Sequence, residues 1–176
     1  MINKMILITK TKNFNEINVK LLSLINKIPK NSLVEYEDNI THTDYNLPVN
    51  FEREYVKYFL KFIEPYLLEI SLKLNAKKIQ IANMWFQQYN KNSIHQWHTH
   101  PQCHFTNIYF IELPSKSLGT EILNHSNLDL NVGDLITFPA YYFHRSPINL
   151  SEERKTIISF NTDIYGFYNK QNEKKT

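Results

Sequence analysis

The hydrophobic period of this chain changes once, near Lys78, and that change limits the folds open to it. Before it, apolar residues recur every three to four positions. Ile17, Leu21, Leu22, Leu24 and Ile25 make one stripe over Glu16–Lys27, with Asn15 as its N-cap. Tyr55, Phe59, Phe62, Ile63, Leu67, Ile70 and Leu74 make a second over Phe51–Leu74, where Pro65 is expected to kink or divide the helix. Residues 31–50 read as loop or short strand. After Lys78 come short β-branched and aromatic runs: Ile79–Tyr89, Ser93–His98, Phe105–Leu113, Thr120–Leu123, Asp134–Phe138, His144–Ser146 and Lys155–Thr162. Two helical segments followed by a series of short strands predict an α+β chain, with helices packed on a β-sandwich or small barrel. The expected organisation is one domain: mainly helical support over 1–77, a β core over 78–165 and a tail over 166–176.

At 176 residues, 42% hydrophobic and 14% aromatic, the chain has enough material for a packed core and is not of disordered composition. A formal net charge of +3, with no basic run beyond the C-terminal tail, argues against nucleic acid as a partner. No stretch approaches the roughly 20 apolar residues of a membrane span. The N-terminal apolar run is too short for a signal peptide, and the single cysteine, Cys103, fits a reducing compartment, so a cytoplasmic setting is expected. Lys, Asn and Ile are heavily used, which points to an A+T-rich genome. Against that background only Arg53, Arg145 and Arg154 are arginines, and an arginine is then an informative choice.

Four of the seven histidines fall within ten residues, in His95-Gln-Trp-His98-Thr-His100-Pro-Gln-Cys-His104. Side chains alternate along a strand, so His98 and His100 share a face, and His95, at odd spacing, is expected on the other. Neutral imidazole is a common ligand for divalent metals. His144, after the turn-and-strand segment Val132-Gly-Asp-Leu-Ile-Thr-Phe-Pro139, is the candidate third ligand. His104 is a further candidate, as ligand or substrate contact. His42-Thr-Asp44 has the look of a metal dyad, but no strand-like run precedes it, and a backbone-capping turn explains it as well. Arg154, ten positions after His144, shares a strand face with Thr156; guanidinium and hydroxyl together can clamp a carboxylate. An ion pair with Glu152 or Glu153 is the plainer alternative.

His98-x-His100, His144 and Arg154-x-Thr156 together resemble the Fe(II)/2-oxoglutarate-dependent oxygenases. Tyr89, Gly119-Thr-Glu-Ile and Val132–Pro139 resemble segments of the prolyl-hydroxylase-like branch. His98-x-His100-Pro and Glu153-Arg-Lys-Thr-Ile-Ile-Ser-Phe-Asn161 resemble a group of small oxygenase-like sequences of marine bacteria and phages. The resemblance covers about residues 80–162. It implies a double-stranded β-helix (jelly-roll or cupin-like) core with N-terminal supporting helices, and Fe(II) held by His98, His100 and His144. It further implies 2-oxoglutarate bound through Arg154, Thr156, Tyr109 and Tyr89, and hydroxylation of an unknown protein or amino-acid substrate as 2-oxoglutarate becomes succinate. Asn107, with Tyr109, is expected to line the cavity. The chain departs from the family where His100 stands in place of a carboxylate. His98-x-His100-x-x-x-His104 is also similar to a cupin motif. A cupin-like metalloprotein that does not use 2-oxoglutarate is therefore an alternative, as is a non-catalytic β-sandwich interaction module.

Overall fold

In the computed structural model, which describes residues 5–35, 38–48, 50–126 and 128–168, three layers stack on one another. The elements run in chain order β1 (Leu7–Lys10), α1 (Phe14–Ile25), β2 (Leu33–Glu35), β3 (Asp38–Ile40), β4 (His42–Thr43), α2 (Glu54–Lys73), β5 (Ala76–Tyr89), β6 (His95–His98), β7 (Phe105–Glu112), β8 (Glu121–Ile122), β9 (Asp134–Pro139), β10 (His144–Ser146) and β11 (Lys155–Phe167). A major sheet has the order β1-β9-β7-β11-β5-β4, and a minor sheet the order β6-β10-β8. Neighbouring strands pair antiparallel throughout. This is the expected double-stranded β-helix with supporting helices.

The helices cover one face of the major sheet. Leu21, Ile25, Tyr55, Phe59, Ile63 and Ile70 pack on Phe86, Tyr109, Leu135, Ile158 and Phe160, all fully buried. The other face meets the minor sheet through Ile108, Phe110, Ile136, Phe138 and Ile157, with Ile122 and Leu130 opposite. The middle strands are thus apolar on both faces, which is why their sequences read as continuous hydrophobic runs. Each fully buried Ile or Phe contributes roughly 1.5–3 kcal/mol of transfer free energy.

Three sequence expectations are revised. Helix α2 continues through Pro65 instead of dividing there. Helix α1 begins at Phe14 after Asn13, which adopts a left-handed conformation (φ 55°), not after Asn15. The short apolar run near the N-terminus is a strand, β1, on the edge of the major sheet, paired with β9 from Leu7↔Thr137 to Lys10↔Asp134. Of the expected tail, Gly166 and Phe167 belong to β11; residues 169–176 lie outside the described residues. No helix among the described residues is long and apolar enough to cross a membrane.

Gly133 holds this arrangement together at the turn into β9. Its N–H donates to Phe110 O (2.8 Å), and its carbonyl accepts from the Thr11 hydroxyl (2.6 Å). Its φ is +81°, and a Cβ there would lie 2.4 Å from Phe14 Cγ. Both the backbone and the ring exclude a side chain. Gly133→Ala is expected to cost about 2–4 kcal/mol, through left-handed strain and overpacking together. A circular-dichroism melt should show Tm lower by roughly 5–15 °C; an unchanged Tm would contradict this role.

Candidate metal centre

β6 and β10 are neighbours in the minor sheet, and their register places His144 opposite His98. His100 lies just past the end of β6, its N–H donating to Ala140 O (2.9 Å). One nitrogen from each of His98, His100 and His144 lies within 4.8 Å of the others. The rings of His98 and His144 are 4.2 Å apart, and those of His100 and His144 5.0 Å. That proximity would let the three imidazoles hold one divalent ion between them.

Each ring is oriented by its far nitrogen. Nδ1 of His98 faces Gln96 O (2.7 Å), Nδ1 of His144 faces Tyr142 O (3.0 Å), and Nδ1 of His100 faces Asn161 Oδ1 (2.6 Å) with Thr106 Oγ1 at 3.0 Å. A carbonyl oxygen only accepts, so each Nδ1 carries the hydrogen and each Nε2 presents a lone pair. Burial keeps the rings neutral. It pushes His144 down to about 2, helped by the neighbouring His98, and His100 down to about 4 despite its bond to Asn161; His98 is lowered for the same reason. The trio is therefore in ligand-competent form at neutral pH, with no proton to expel.

His95 is not on the opposite face. Ser146 pairs with His95 while His144 pairs with His98, so β6 carries one extra residue between the two pairs. That irregularity reverses the parity, and the His95 ring stacks on His98 at 3.8 Å. His104 is on the outside, its side chain 57% exposed and Nδ1 2.7 Å from Asp163 Oδ1, and is not brought to the trio. His42 and Asp44 are buried on the helix side of the major sheet. Asp44 accepts from Arg53 Nε (2.8 Å), Tyr55 OH (2.7 Å) and Phe86 N (2.9 Å), and His42 meets Gln88 Oε1 (3.0 Å). That network ties β4 to α2 and β5.

The structure does not bring Arg154, Thr156 or Tyr109 to the histidines. Arg154 is bidentate to Glu112, Nε to Oε2 at 2.8 Å and Nη2 to Oε1 at 3.0 Å, and the Thr156 hydroxyl also donates to Glu112. The expected carboxylate clamp exists, but a carboxylate of the chain itself fills it. Thr156 pairs with Gln88 on the helix-facing side of the sheet. Tyr109 faces the helices too, donating to Asn18 Oδ1 (2.8 Å), and Asn107 is bonded within the major sheet to Phe160 O and Thr162 Oγ1. On β7 it is Thr106, Ile108 and Phe110 that face the site.

Sequence reasoning passed over Lys155, one position from Arg154 and on the opposite face. It is 1% exposed, and its Nζ donates to Ser146 Oγ (2.8 Å) above the rings of Tyr89 (5.2 Å) and Phe110 (5.9 Å). Among the described residues no carboxylate lies within ion-pair distance of it. Burial lowers its pKa to about 7, with Glu121 acting weakly in the other direction. The hydroxyl of Tyr89, also 1% exposed, has no hydrogen-bond partner among the described residues, although Ser146 lies beside it. A buried cation without a counterion next to an unsatisfied hydroxyl suits an anion with several acceptor oxygens. The signal in the sequence was the pleat: Lys155 shares its parity with Ile157, Ser159 and Asn161.

Tyr89, Ser146, Ile108, Ile157 and Ser159 line a small cavity of about 20 Å³ against the histidines. An open cleft of about 360 Å³ adjoins it, bounded by Tyr45, Asn83, Gln102 and Asn161. Trp85, Gln87, His95, His98 and His100 line both. Gln87 and His95 touch at only 3.5 Å, so this partition is weakly held.

No protein-family model and no curated protein matches the chain. Solved structures do. A viral collagen prolyl hydroxylase from Paramecium Bursaria Chlorella virus-1, in its 2-oxoglutarate complex, is similar over 91% of this chain and 96% of its own, with TM-score 0.59 and 15% identity. A Pseudomonas putida prolyl-4-hydroxylase is similar over 93% and 95%, with TM-score 0.62 and 10% identity. HygX from Streptomyces hygroscopicus, with nickel, 2-oxoglutarate and hygromycin B bound, is similar over 90% and 82%, with TM-score 0.65 and 10% identity. At these identities the likeness is one of fold, and the fold is the double-stranded β-helix of the 2-oxoglutarate–Fe(II) oxygenase structures.

Proposed function

We propose that this protein is an Fe(II)- and 2-oxoglutarate-dependent oxygenase that hydroxylates an organic substrate. The observation that carries the reading is the pairing, inside this fold, of an inward-facing histidine trio with a buried, counterion-free Lys155. The donor chemistry fits. Three neutral imidazoles suit iron and other late divalent metals. Tyr89 and Ser146, at the wall of the cavity, and Lys155 behind them offer two or three donors to one carboxylate. In this reading His98, His100 and His144 hold the metal, and Lys155 with Tyr89 takes the role that the resemblance assigned to Arg154 and Thr156. The cupin-like alternative has no use for Lys155, which is the reason to set it second.

When bound, the metal and 2-oxoglutarate supply the oxidising chemistry: O2 and the keto acid give CO2, succinate and one oxygen atom inserted into a substrate C–H bond. The remaining work falls to the chain. Gln96 O, Asn161 and Tyr142 O fix the ring directions of the histidines. Lys155 and Tyr89 orient the diacid by its distal end, leaving its keto-acid end toward the trio. Ile108, Phe138 and Ile157 keep bulk water from the back of the pocket, where each electrostatic contact is then stronger. The open cleft along Trp85 and Asn83 receives the substrate.

Anaerobic titration with Fe(II), or with Co(II) as a spectroscopic substitute, should show one site. His98→Ala, His100→Ala and His144→Ala should each weaken it by about 100-fold or more, and exposed His104→Ala should leave it unchanged. Retention of metal by His144→Ala would end the metal reading.

Succinate release from 2-oxoglutarate, followed by NMR with Fe(II) and O2, tests the co-substrate. Lys155→Met should raise the 2-oxoglutarate Kd by about 30-fold or more, as expected for removing one partner of a buried charge pair. Arg154→Ala, distant from the pocket, should change it less than twofold. Because Lys155 loses its proton near pH 7 and a carboxylate needs the charged form, wild-type affinity should fall by roughly tenfold per pH unit above about 8. No succinate under any condition, or an effect at Arg154 and none at Lys155, would overturn the assignment.

A further inference from the structure

We infer that Gln87 is a further binding residue for the keto diacid: its side-chain amide donates to the keto-acid end, while Lys155 and Tyr89 hold the distal end. The inference rests on the oxygenase reading and deepens it. Gln87 is 5% exposed and lines both the small cavity and the open cleft beside the histidines. Its amide has no partner at ordinary hydrogen-bond length, which is roughly 2.7–3.2 Å. Oε1 accepts from the Ser159 hydroxyl at 3.5 Å, and Nε2 faces His95 Nδ1 at 3.5 Å. With Oε1 turned to Ser159, the NH2 group is turned to His95, which lines the same cavity and whose ring lies 3.8 Å from that of His98. An NH2 group has two hydrogens, and among the described residues the second meets no acceptor. A buried amide so poorly satisfied carries a desolvation cost that an outside acceptor offsets.

The register of the major sheet sets how far this amide lies from the distal site. Lys155 pairs with Tyr89 and Ile157 with Gln87, so Gln87 is one pleat repeat from Tyr89 on the same face. In an antiparallel sheet that repeat is about 6.8 Å. An extended five-carbon diacid has its carboxyl carbons about 5 Å apart and its outer oxygens about 7 Å apart. A carboxylate at Tyr89, Ser146 and Lys155 thus leaves the other acid group level with Gln87, beside the trio. That group has more acceptor positions than one metal ion takes up. The histidines cannot serve the remainder, because each presents a lone pair toward the ion and keeps its hydrogen on the far nitrogen. Ile157, across the ladder from Gln87, offers no donor, and the Ser159 hydroxyl is directed at Gln87 Oε1. The unpaired N–H of Gln87 is the donor placed to meet it.

Two keto acids separate the two ends: 2-oxoglutarate carries both, and pyruvate carries the keto-acid end alone. Calorimetry on the Co(II)-loaded chain, without O2, reads the affinity for each with no turnover involved. Gln87→Leu, close to the native side chain in volume, should weaken both by the same factor, about tenfold or more. Lys155→Met should weaken 2-oxoglutarate and leave pyruvate within twofold. The Co(II) affinity of Gln87→Leu should stay within twofold of wild type, which separates loss of the keto acid from loss of the metal. In the wild-type chain loaded with Zn(II), the side-chain 15N–H resonances of Gln87 should shift when pyruvate is added; where Gln87→Leu loses its fold by circular dichroism, this measurement decides alone. Unchanged affinity for both keto acids, a loss for 2-oxoglutarate but not pyruvate, a matching loss of Co(II), or a stationary Gln87 amide would each overturn the inference. As long as the wild-type chain binds 2-oxoglutarate, those results leave the oxygenase reading in place. A wild-type chain that binds Co(II) but neither keto acid would sink both.

Discussion

The pleat of β11 sets what every part of this molecule faces. β11 is hydrogen-bonded to β5 on one side and to β7 on the other. Its residues divide strictly: Ile158 and Phe160 go into the helix-side core, Ile157 and Ser159 toward the histidines. A slip of one residue would exchange the two sets, expose apolar surface worth several kcal/mol, and turn the buried lysine out of the pocket. Irregularities at Thr156/Ile157 against β7 and at Asn161/Thr162 against β5 pin the register at both ends. Asn161, at one of these positions, also orients His100. The register that builds the core is thus the one that aims the site.

That constraint explains what could be read from the sequence. The change of period near Lys78, the strand series and the spacing of His98, His100 and His144 lead to the observed architecture and to a trio that does converge. Face assignment failed where periodicity carries no signal. β7 is buried at seven of its eight positions and β11 is apolar on both sides, so Tyr109, Asn107, Arg154 and Thr156 had no alternation to place them. The rarity of arginine then drew attention to Arg154, when the same pleat argument that paired His98 with His100 would have marked Lys155. His95 was misplaced for a different reason: the extra residue in β6 is a three-dimensional irregularity with no Gly or Pro to announce it. β1 was missed because a four-residue edge strand has too little sequence to show a period.

The buried charges separate into two kinds. Asp44 is surrounded by Arg53, Tyr55 and the Phe86 amide, and Glu112 is clasped by Arg154 and Thr156. Both are electrostatically complete: breaking the buried Asp44 cluster costs about 3–5 kcal/mol in stability, and breaking the half-buried Glu112–Arg154 pair less. Lys155 is incomplete: one hydroxyl, two aromatic faces and, among the described residues, no counterion. Folding tolerates it at the expense of its proton affinity, as the fall of its pKa to about 7 records. A fully paired polar group belongs to the scaffold, while a buried one left short of partners is where an outside group can be bound. By that criterion the surroundings of Lys155 and Tyr89, behind the histidines, differ from those of Asp44 and Glu112.

The third imidazole of the trio, His100, reinforces the same asymmetry. Among the described residues, those lining the cavity include three neutral imidazoles and no carboxylate, with Lys155 behind Tyr89 and Ser146 and the nearest carboxylate, Asp38, beyond His95. A divalent ion held there keeps its full charge, and a protonated Lys155 adds one more at the far end of the cavity. A carboxylate ligand would have cancelled part of this. The arrangement therefore favours a dianion long enough to meet both ends, and each charge makes the other easier to accommodate: the diacid offsets the cost of loading a metal on neutral ligands, and the metal raises the potential that draws the diacid in. Because that coupling acts across a small, largely apolar space, it is weakened little by salt. Metal and diacid are then expected to bind as a linked pair.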